Sequence, residues 1–343
     1  MREAVIVSTA RTPIGKAFRG AFNDTQAQEM AGHAIAEAVK RSKVSKEEID
    51  DVIIGAAGQQ GSQQGNIARQ SLLRAGLPVS VAGMSLDRQC ASGMMAIATA
   101  AKEITEDGMT ITVGGGVESV SLVRNENFRM DRARDPWLEE NIPALYMTMI
   151  ETAENVAKRY GISREAQDEY SLQSQMRTAR AQQNGYMDKE IVPLKSTMKY
   201  KDKETGEISS HDVCIEKDEG NRPSTTFEGL SALKPVFKDG IYLKEGEYIT
   251  AGNASQLSDG ASASVLMEAR EAEKRNLSPL GVYRGIAVAG CAPDEMGIGP
   301  IYAVPKLLKK HGLKIDDIDL WELNEAFASQ VIYCRDKLGI PNE

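Results

Sequence analysis

The 343-residue chain has little of what anchors several whole classes of protein. Its four cysteines, Cys90, Cys214, Cys291 and Cys334, lie far apart with no C-x-x-C pair, which argues against a zinc site or a disulfide framework. The three histidines, His33, His211 and His311, are isolated from one another, so no metal enzyme is expected. Aromatic residues make up only 5% of the chain, leaving alanine, glycine and methionine to fill much of the interior. A basic excess is also missing. The net charge of −8 argues against a nucleic-acid surface, which requires a basic face. Apolar runs such as 52–57 and 110–116 fall far short of the roughly 18–20 residues of a membrane span. Met1-Arg2-Glu3-Ala4 leads straight into Val5-Ile6-Val7 without the features of a secretion signal. A reduced, cytoplasmic protein is the expectation that survives these absences.

What is present reads as α/β. With 41% apolar and 26% charged residues, the chain has material for about two domains at roughly 150 residues each. Residues 4–8 form a short apolar strand ending in the turn-prone Arg11-Thr12-Pro13-Ile14-Gly15. A helix is predicted over 26–42, with Met30, Ile35 and Val39 on its apolar face. A strand over 49–57, a helix over 66–75 capped by Asn66, a strand over 81–86, a helix over 90–104 and a strand over 110–114 follow. Such alternation implies parallel pairing. From about 122 to 248 the chain is richer in charge and carries a long helix, 163–184, opened by Ser163. This stretch reads as an inserted excursion. Strand 263–267 then returns to the first pattern, and Pro279 opens new α/β structure.

A weak internal repeat organises the rest. Lys43-Val44-Ser45-Lys46-Glu47-Glu48-Ile49-Asp50 matches Gly312-Leu313-Lys314-Ile315-Asp316-Asp317-Ile318-Asp319 in spacing, each after an amphipathic helix and before a predicted strand. Duplication of an α/β half is one reading, and chance similarity of two common units is the other. If the duplication holds, the second counterpart of Cys90 falls beyond Glu343.

Cys90 leads the chemistry-bearing residues. In Ser85-Leu86-Asp87-Arg88-Gln89-Cys90-Ala91-Ser92-Gly93 a strand turns into a helix, whose free N–H groups and dipole stabilise a thiolate. An inert buried cysteine is the alternative. Asn324-Glu325-Ala326-Phe327 follows the predicted strand 319–323, at the end where open α/β sheets place ligands, although a plain polar turn has the same composition. Gly114-Gly115-Gly116 ends a strand without forming a dinucleotide fingerprint, so close backbone packing explains it better. The small-residue loop 250–255 offers a groove wall or a tight turn, and Arg222 offers a phosphate contact or a solvated charge.

Together these motifs resemble the thiolase family over nearly the whole chain. The opening 5–15, the segments 87–93, 114–119 and 152–157, the loop 250–255 and the run 324–327 occur in the family's order. The resemblance implies two duplicated α/β halves of αβαβα type, the second incomplete, with an inserted loop domain that binds coenzyme A. The expected divisions are 1–121 for the N-terminal half, 122–248 for the inserted domain, 249–278 for the return, and 279–343 for the start of the C-terminal half. The implied activity is acyl-CoA C-acyl transfer through an acyl-Cys90 intermediate, either thiolysis of a 3-ketoacyl-CoA or the reverse Claisen condensation. Cys90 is implied as nucleophile and, through its backbone N–H, as an oxyanion donor. Asn324 is implied to hold a water at the second oxyanion site. Arg222, Ser255 and Ala251 match positions that contact coenzyme A, while Met149, Phe237 and Phe327 match residues lining its pantetheine tunnel. Coenzyme A is thus a co-substrate, no tightly bound cofactor is expected, and the partner is a second copy in a homodimer or homotetramer.

There are departures. Ile150-Glu151 stands where the family usually has a glycine-containing pair, and Thr148 precedes Met149 where acetoacetyl-specific members carry histidine. Asp87–Gly93 taken as Asp-Arg-Gln-Cys-Ala-Ser-Gly is closer to the broad-chain 3-ketoacyl thiolases. The family's Gly-His-Pro and Cys-x-Gly acid/base segments are not among these residues. A truncated chain, inactive by itself, is therefore expected. A ketoacyl synthase relative and a non-catalytic acyl-CoA or lipid-binding thiolase relative are the rival readings. The intact Cys90 motif speaks against the second.

Overall fold

The computed structural model describes residues 2–342. Contacts divide the chain into two compact units, the first made of 1–129, 185–220 and 257–284, the second of 130–184, 221–256 and 285–343.

The first unit is built on strands β1 (Ala4–Arg11), β2 (Gly15–Lys16), β3 (Asp51–Gly55), β4 (Ala82–Leu86), β5 (Ile111–Ser119), β6 (Leu194–Lys201), β7 (Ile208–Ile215), β8 (Ser258–Glu268) and β9 (Gly281–Val282). Seven of them form one sheet in the order β4-β3-β5-β8-β1-β9, with β2 on β8. β3 runs parallel to both β4 and β5, whereas β8 is antiparallel to β5 and β1. Both faces of this sheet are covered, and the strand period decides which residue goes where. Val52 and Ile54 pack with helices α1 (Ala27–Ser42) and α2 (Ile67–Arg74), and Ile53 packs on the opposite face with α3 (Ser92–Thr105). Val265 and Met267 of β8 share the first face, and Leu266 the second. Each fully buried Ile, Leu or Met of this kind contributes about 1.5–3 kcal/mol. The short helices α4 (Val120–Val123) and α9 (Ala269–Lys274) follow β5 and β8. β6 and β7 form a separate hairpin whose basal pair, Leu194 and Ile215, is buried in the α1–α2 core.

The predicted elements are largely present, with shifts that have causes. Asn66 caps α2 as its side chain accepts from the Arg69 N–H at 3.0 Å. The strand expected over 110–114 continues to Ser119, so the glycines lie inside it rather than at its end. A Cβ at Gly114 would strike the Ile97 backbone at 2.6 Å, and one at Gly116 would stand 3.0 Å from the Gly93 Cα. The glycines let α3 lie directly on the strand.

The second unit contains helices α5 (Pro136–Asn141), α6 (Met149–Tyr160), α7 (Arg164–Gln183), α8 (Phe227–Ser231), α10 (Pro300–His311) and α11 (Ala328–Leu338). Thr148 and Ser163 cap α6 and α7 by accepting from the Glu151 and Ala166 N–H groups. α6 meets α11 and the turn 293–298 through buried Val156, Ile298 and Cys334. Tyr160 stacks on Tyr333 with ring centroids 3.9 Å apart, and Arg159 binds Asp294 at 2.6 Å and Glu295 at 2.5 Å.

The sequence repeat has a local structural counterpart. α1 and α10 both end in a left-handed cap, Lys43 (φ 59) and Gly312 (φ 66). Each is followed by a short 3-10 turn, Lys46–Glu48 or Ile315–Asp317. In both, an acidic side chain reaches back, Glu48 to the Ser45 N–H at 3.0 Å and Asp317 to the Lys314 N–H at 2.8 Å. The likeness stops at the next element. Residues 319–323 are not a strand, contrary to the expectation, because among the described residues no strand pairs with them; Leu320 stays 77% exposed. An extended segment without a ladder partner is not held as sheet.

Candidate active site

Cys90 sits in the first unit, on the turn between β4 and α3. The helix begins at Ser92 with Ala91 as its cap, so Cys90 lies just outside the helix rather than in its first turn as the sequence suggested. Gln89, immediately before it, has a φ of 48, a left-handed conformation that a side chain adopts only under constraint. The constraint is visible. Gln89 N–H donates to Asp87 Oδ1 at 2.6 Å, Arg88 N–H donates to Ser92 Oγ at 2.8 Å, and Ser92 Oγ donates to the Gln89 carbonyl at 2.6 Å. Beneath the turn, a Cβ on Gly55 would collide with the Ser92 carbonyl, so β3 ends directly against the start of α3. The result is a sharp elbow with Cys90 exposed at its tip. The N-terminal end of α3 faces this region, and a helix N-terminus favours an anion by about 0.3–1 kcal/mol.

The other thiols differ from Cys90 in their surroundings. Cys334 is buried, and burial pushes its thiol up to about 12. Cys291 is partly buried, and burial with Glu295 and Asp294 nearby raises it as well. Cys214 is exposed on β7.

The remaining sequence candidates all belong to the second unit, and most converge on one loop system. The Thr250 N–H donates to Asn253 Oδ1 at 2.8 Å, and Asn253 Nδ2 donates to the Tyr248 carbonyl at 2.9 Å. Ser255 N–H reaches the Ala326 carbonyl at 2.9 Å, and Ala328 N–H reaches the Asn253 carbonyl at 2.9 Å. The run 324–328 is thereby laid alongside 250–255. Ala251 and Ser255 are exposed on this loop, while Phe327 is 8% exposed against Ala153 and Ile249. Phe237 is 6% exposed, and the adjoining Val236 N–H binds the Ile249 carbonyl at 2.9 Å. Met149 opens α6 and is 40% exposed. Asn324 is exposed, and its carbonyl accepts from Gln330 Nε2 at 3.3 Å. Arg222 is set apart from this loop: its backbone N–H donates to Gln175 Oε1 on α7 at 2.8 Å, and its exposed guanidinium has no bond to the described residues.

Sequence reasoning missed the groups that hold these loops. Glu151 and Glu154 are buried on α6, and both point at backbone N–H groups. Glu151 accepts from Ile241, Tyr242 and Leu243 at 2.6–3.0 Å, and Glu154 from Glu247, Tyr248 and Ile249 at 2.7–3.1 Å. Two carboxylates three residues apart, Glu151 and Glu154, on the helix face that also carries the buried Ala153, Val156 and Ala157 were a signal: charge placed among buried residues needs partners. Glu325 is likewise held by α7, with Tyr170 Oη at 2.5 Å and Ser174 Oγ at 2.9 Å, which fixes the residue next to Asn324. Burial, and then this bond to Glu325, raise the Tyr170 hydroxyl well above its ordinary value.

A mixed α/β sheet carrying an exposed cysteine on a strand-to-helix elbow places the chain among the α/β proteins. Family models assign it further: residues 4–270 match "Thiolase, N-terminal domain" and 277–343 match "Thiolase, C-terminal domain". The chain belongs to the thiolase family. It is 42% identical to peroxisomal 3-ketoacyl-CoA thiolase B of Mus musculus, covering 99% of this chain and 77% of the relative. It is also 42% identical to the 3-ketoacyl-CoA thiolase of Bacillus subtilis, covering 100% and 85%. The Bacillus anthracis acetyl-CoA acetyltransferase structure superimposes with a TM-score of 0.85 at 38% identity, over 100% of this chain and 85% of that one. The dimeric peroxisomal thiolase of Saccharomyces cerevisiae gives 0.84 at 34% identity, over 99% and 83%.

Proposed function

We propose that this chain is an acyl-CoA C-acyltransferase of the thiolase type, with Cys90 as the acylated nucleophile. The observation that carries it is the exposed thiol on the Gln89 elbow beside the start of α3, in a member of this family. The Cys90 thiolate attacks the ketone carbon of a 3-ketoacyl-CoA. The C2–C3 bond breaks, the electron pair leaves on C2 as an acetyl-CoA enolate that takes up a proton, and the acyl group stays on Sγ. The thiolate of coenzyme A then attacks the thioester, releasing acyl-CoA and regenerating Cys90. The covalent intermediate divides one hard C–C cleavage into two transfers. In this reading the Cys90 N–H stabilises one oxyanion, and donors of this kind are worth about 2.7–4 kcal/mol each. Asn324 orients a water for the other oxyanion. Ala251, Ser255, Met149, Phe237, Phe327 and Arg222 serve coenzyme A.

The names of the relatives support a 3-ketoacyl-CoA substrate of the kind cleaved in fatty-acid β-oxidation. Four unlinked thiols fit a reducing compartment, and the cytoplasm is the one we propose. No helix among the described residues is long and apolar enough to cross a membrane. A homo-oligomer is supported by β4, an edge strand of the sheet on which Met84 is exposed. The assay is thiolysis of acetoacetyl-CoA and a longer 3-ketoacyl-CoA by residues 1–343 joined to the family's Gly-His-Pro and Cys-x-Gly segments, and every turnover test uses that protein. Cys90→Ala abolishes turnover of both, and a Cys90→Ala protein as active as its parent refutes the assignment. Arg222→Ala raises the KM for coenzyme A and leaves kcat nearly unchanged, as expected where ground state and transition state lose the same phosphate contact. A large fall in kcat at saturating coenzyme A contradicts that role.

A further inference from the structure

We infer that Ser92, together with Asp87, is a positioning pair that holds the elbow and so aims Cys90; the inference rests on the acyl-Cys90 reading above. Four bonds tie the two residues before the nucleophile. Asp87 Oδ1 takes the Gln89 N–H at 2.6 Å, Ser92 Oγ takes the Arg88 N–H at 2.8 Å, and the Ser92 hydroxyl and N–H both donate to the Gln89 carbonyl, at 2.6 and 3.0 Å. A fifth, from the Ala91 N–H to the Arg88 carbonyl at 3.1 Å, closes the turn over Cys90.

The direction of the Ser92 side chain is the informative point. A serine at the start of a helix ordinarily caps it by accepting from N–H groups further along. The Ser92 side chain instead reaches back to residues 88 and 89, and every bond its hydroxyl makes falls within 87–92. Its seat is rigid, since it is 3% exposed and β3 abuts it where Gly55 has no room for a Cβ. A fixed hydroxyl that donates to the carbonyl of left-handed Gln89 and accepts from the N–H of Arg88 brackets Gln89 from both sides and sets the position of the next side chain, which is Cys90. A nucleophile displaced by about an ångström loses up to roughly a hundredfold in rate.

The test compares Ser92→Ala, Asp87→Ala, Gln89→Gly/Ser92→Ala and Cys90→Ala for thiolysis in the same assay. Ser92→Ala is expected to lower kcat by about 10- to 100-fold with KM for the acyl-CoA nearly unchanged. Adding Gln89→Gly restores much of that loss, because glycine takes a φ near +48 without strain and needs the bracket less. Asp87 is exposed, so Asp87→Ala folds and gives a smaller loss of the same kind even where Ser92→Ala is unstable. Full kcat in Ser92→Ala or Asp87→Ala, or a double variant that only adds a second loss, overturns the positioning role. Turnover persisting in Cys90→Ala overturns the nucleophile reading instead, so the two failures are told apart.

Discussion

Glu103, near the end of α3, shows what a single side chain costs when the sheet brings like charges together. Burial, then Asp51, Asp107 and Asp50 nearby, push its carboxyl up to about 7. One of its oxygens is buried without a hydrogen-bond partner. A carboxyl raised in the folded state binds its proton more tightly there than in the unfolded chain, so the folded state is favoured while the proton stays on. That advantage is complete below the ordinary carboxylate range and is lost as the pH rises through about 7. Glu103→Gln, which stays neutral, therefore melts at a higher temperature than the parent at pH 8, and the gap narrows at pH 5. Equal melting curves at pH 8 contradict this picture. Nothing in the sequence placed Glu103 against Asp50 and Asp51, because their proximity comes from α3 lying on β3. By contrast Asn66 and Ser163 were legible as caps, since a cap is read from a few neighbouring residues.

At the scale of elements, α6 acts as a clamp for loops. Its two buried carboxylates collect six N–H groups from 241–249, just before the loop that carries Ala251 and Ser255. Glu154→Gln removes one acceptor and sets an NH2 against backbone donors, at a cost of about 3 kcal/mol. The expected sign is faster hydrogen exchange at the amides of 247–249 with α1 unchanged. Undiminished protection at 247–249 contradicts the clamp. The helices and strands themselves followed from apolar period, as with Val52, Ile53 and Ile54 dividing between two faces. The glycines of β5 were read as a strand end because glycine usually marks one; only the pressure of α3 explains why they lie mid-strand. The strand expected over 319–323 failed for the opposite reason: composition supplies a tendency, and a partner must supply the ladder.

For the molecule as a whole, the family and a candidate nucleophile, Cys90, were legible from the order of short motifs along the chain. The geometry around Cys90 was not, since it depends on Gln89, Asp87, Ser92 and Gly55 meeting across β3, β4 and α3. The division into two contact units was also invisible in composition, because the hairpin of β6 and β7 sits within a charged stretch yet buries its base in the first unit's core. The central claim is that acyl groups pass through Cys90, and mass spectrometry of the trapped protein tests it most directly. The protein is mixed with acetoacetyl-CoA, quenched in acid and digested. The account predicts one acetyl group, on the peptide containing Cys90. Acetyl groups found instead on Cys214, or spread evenly over the exposed thiols, would contradict it.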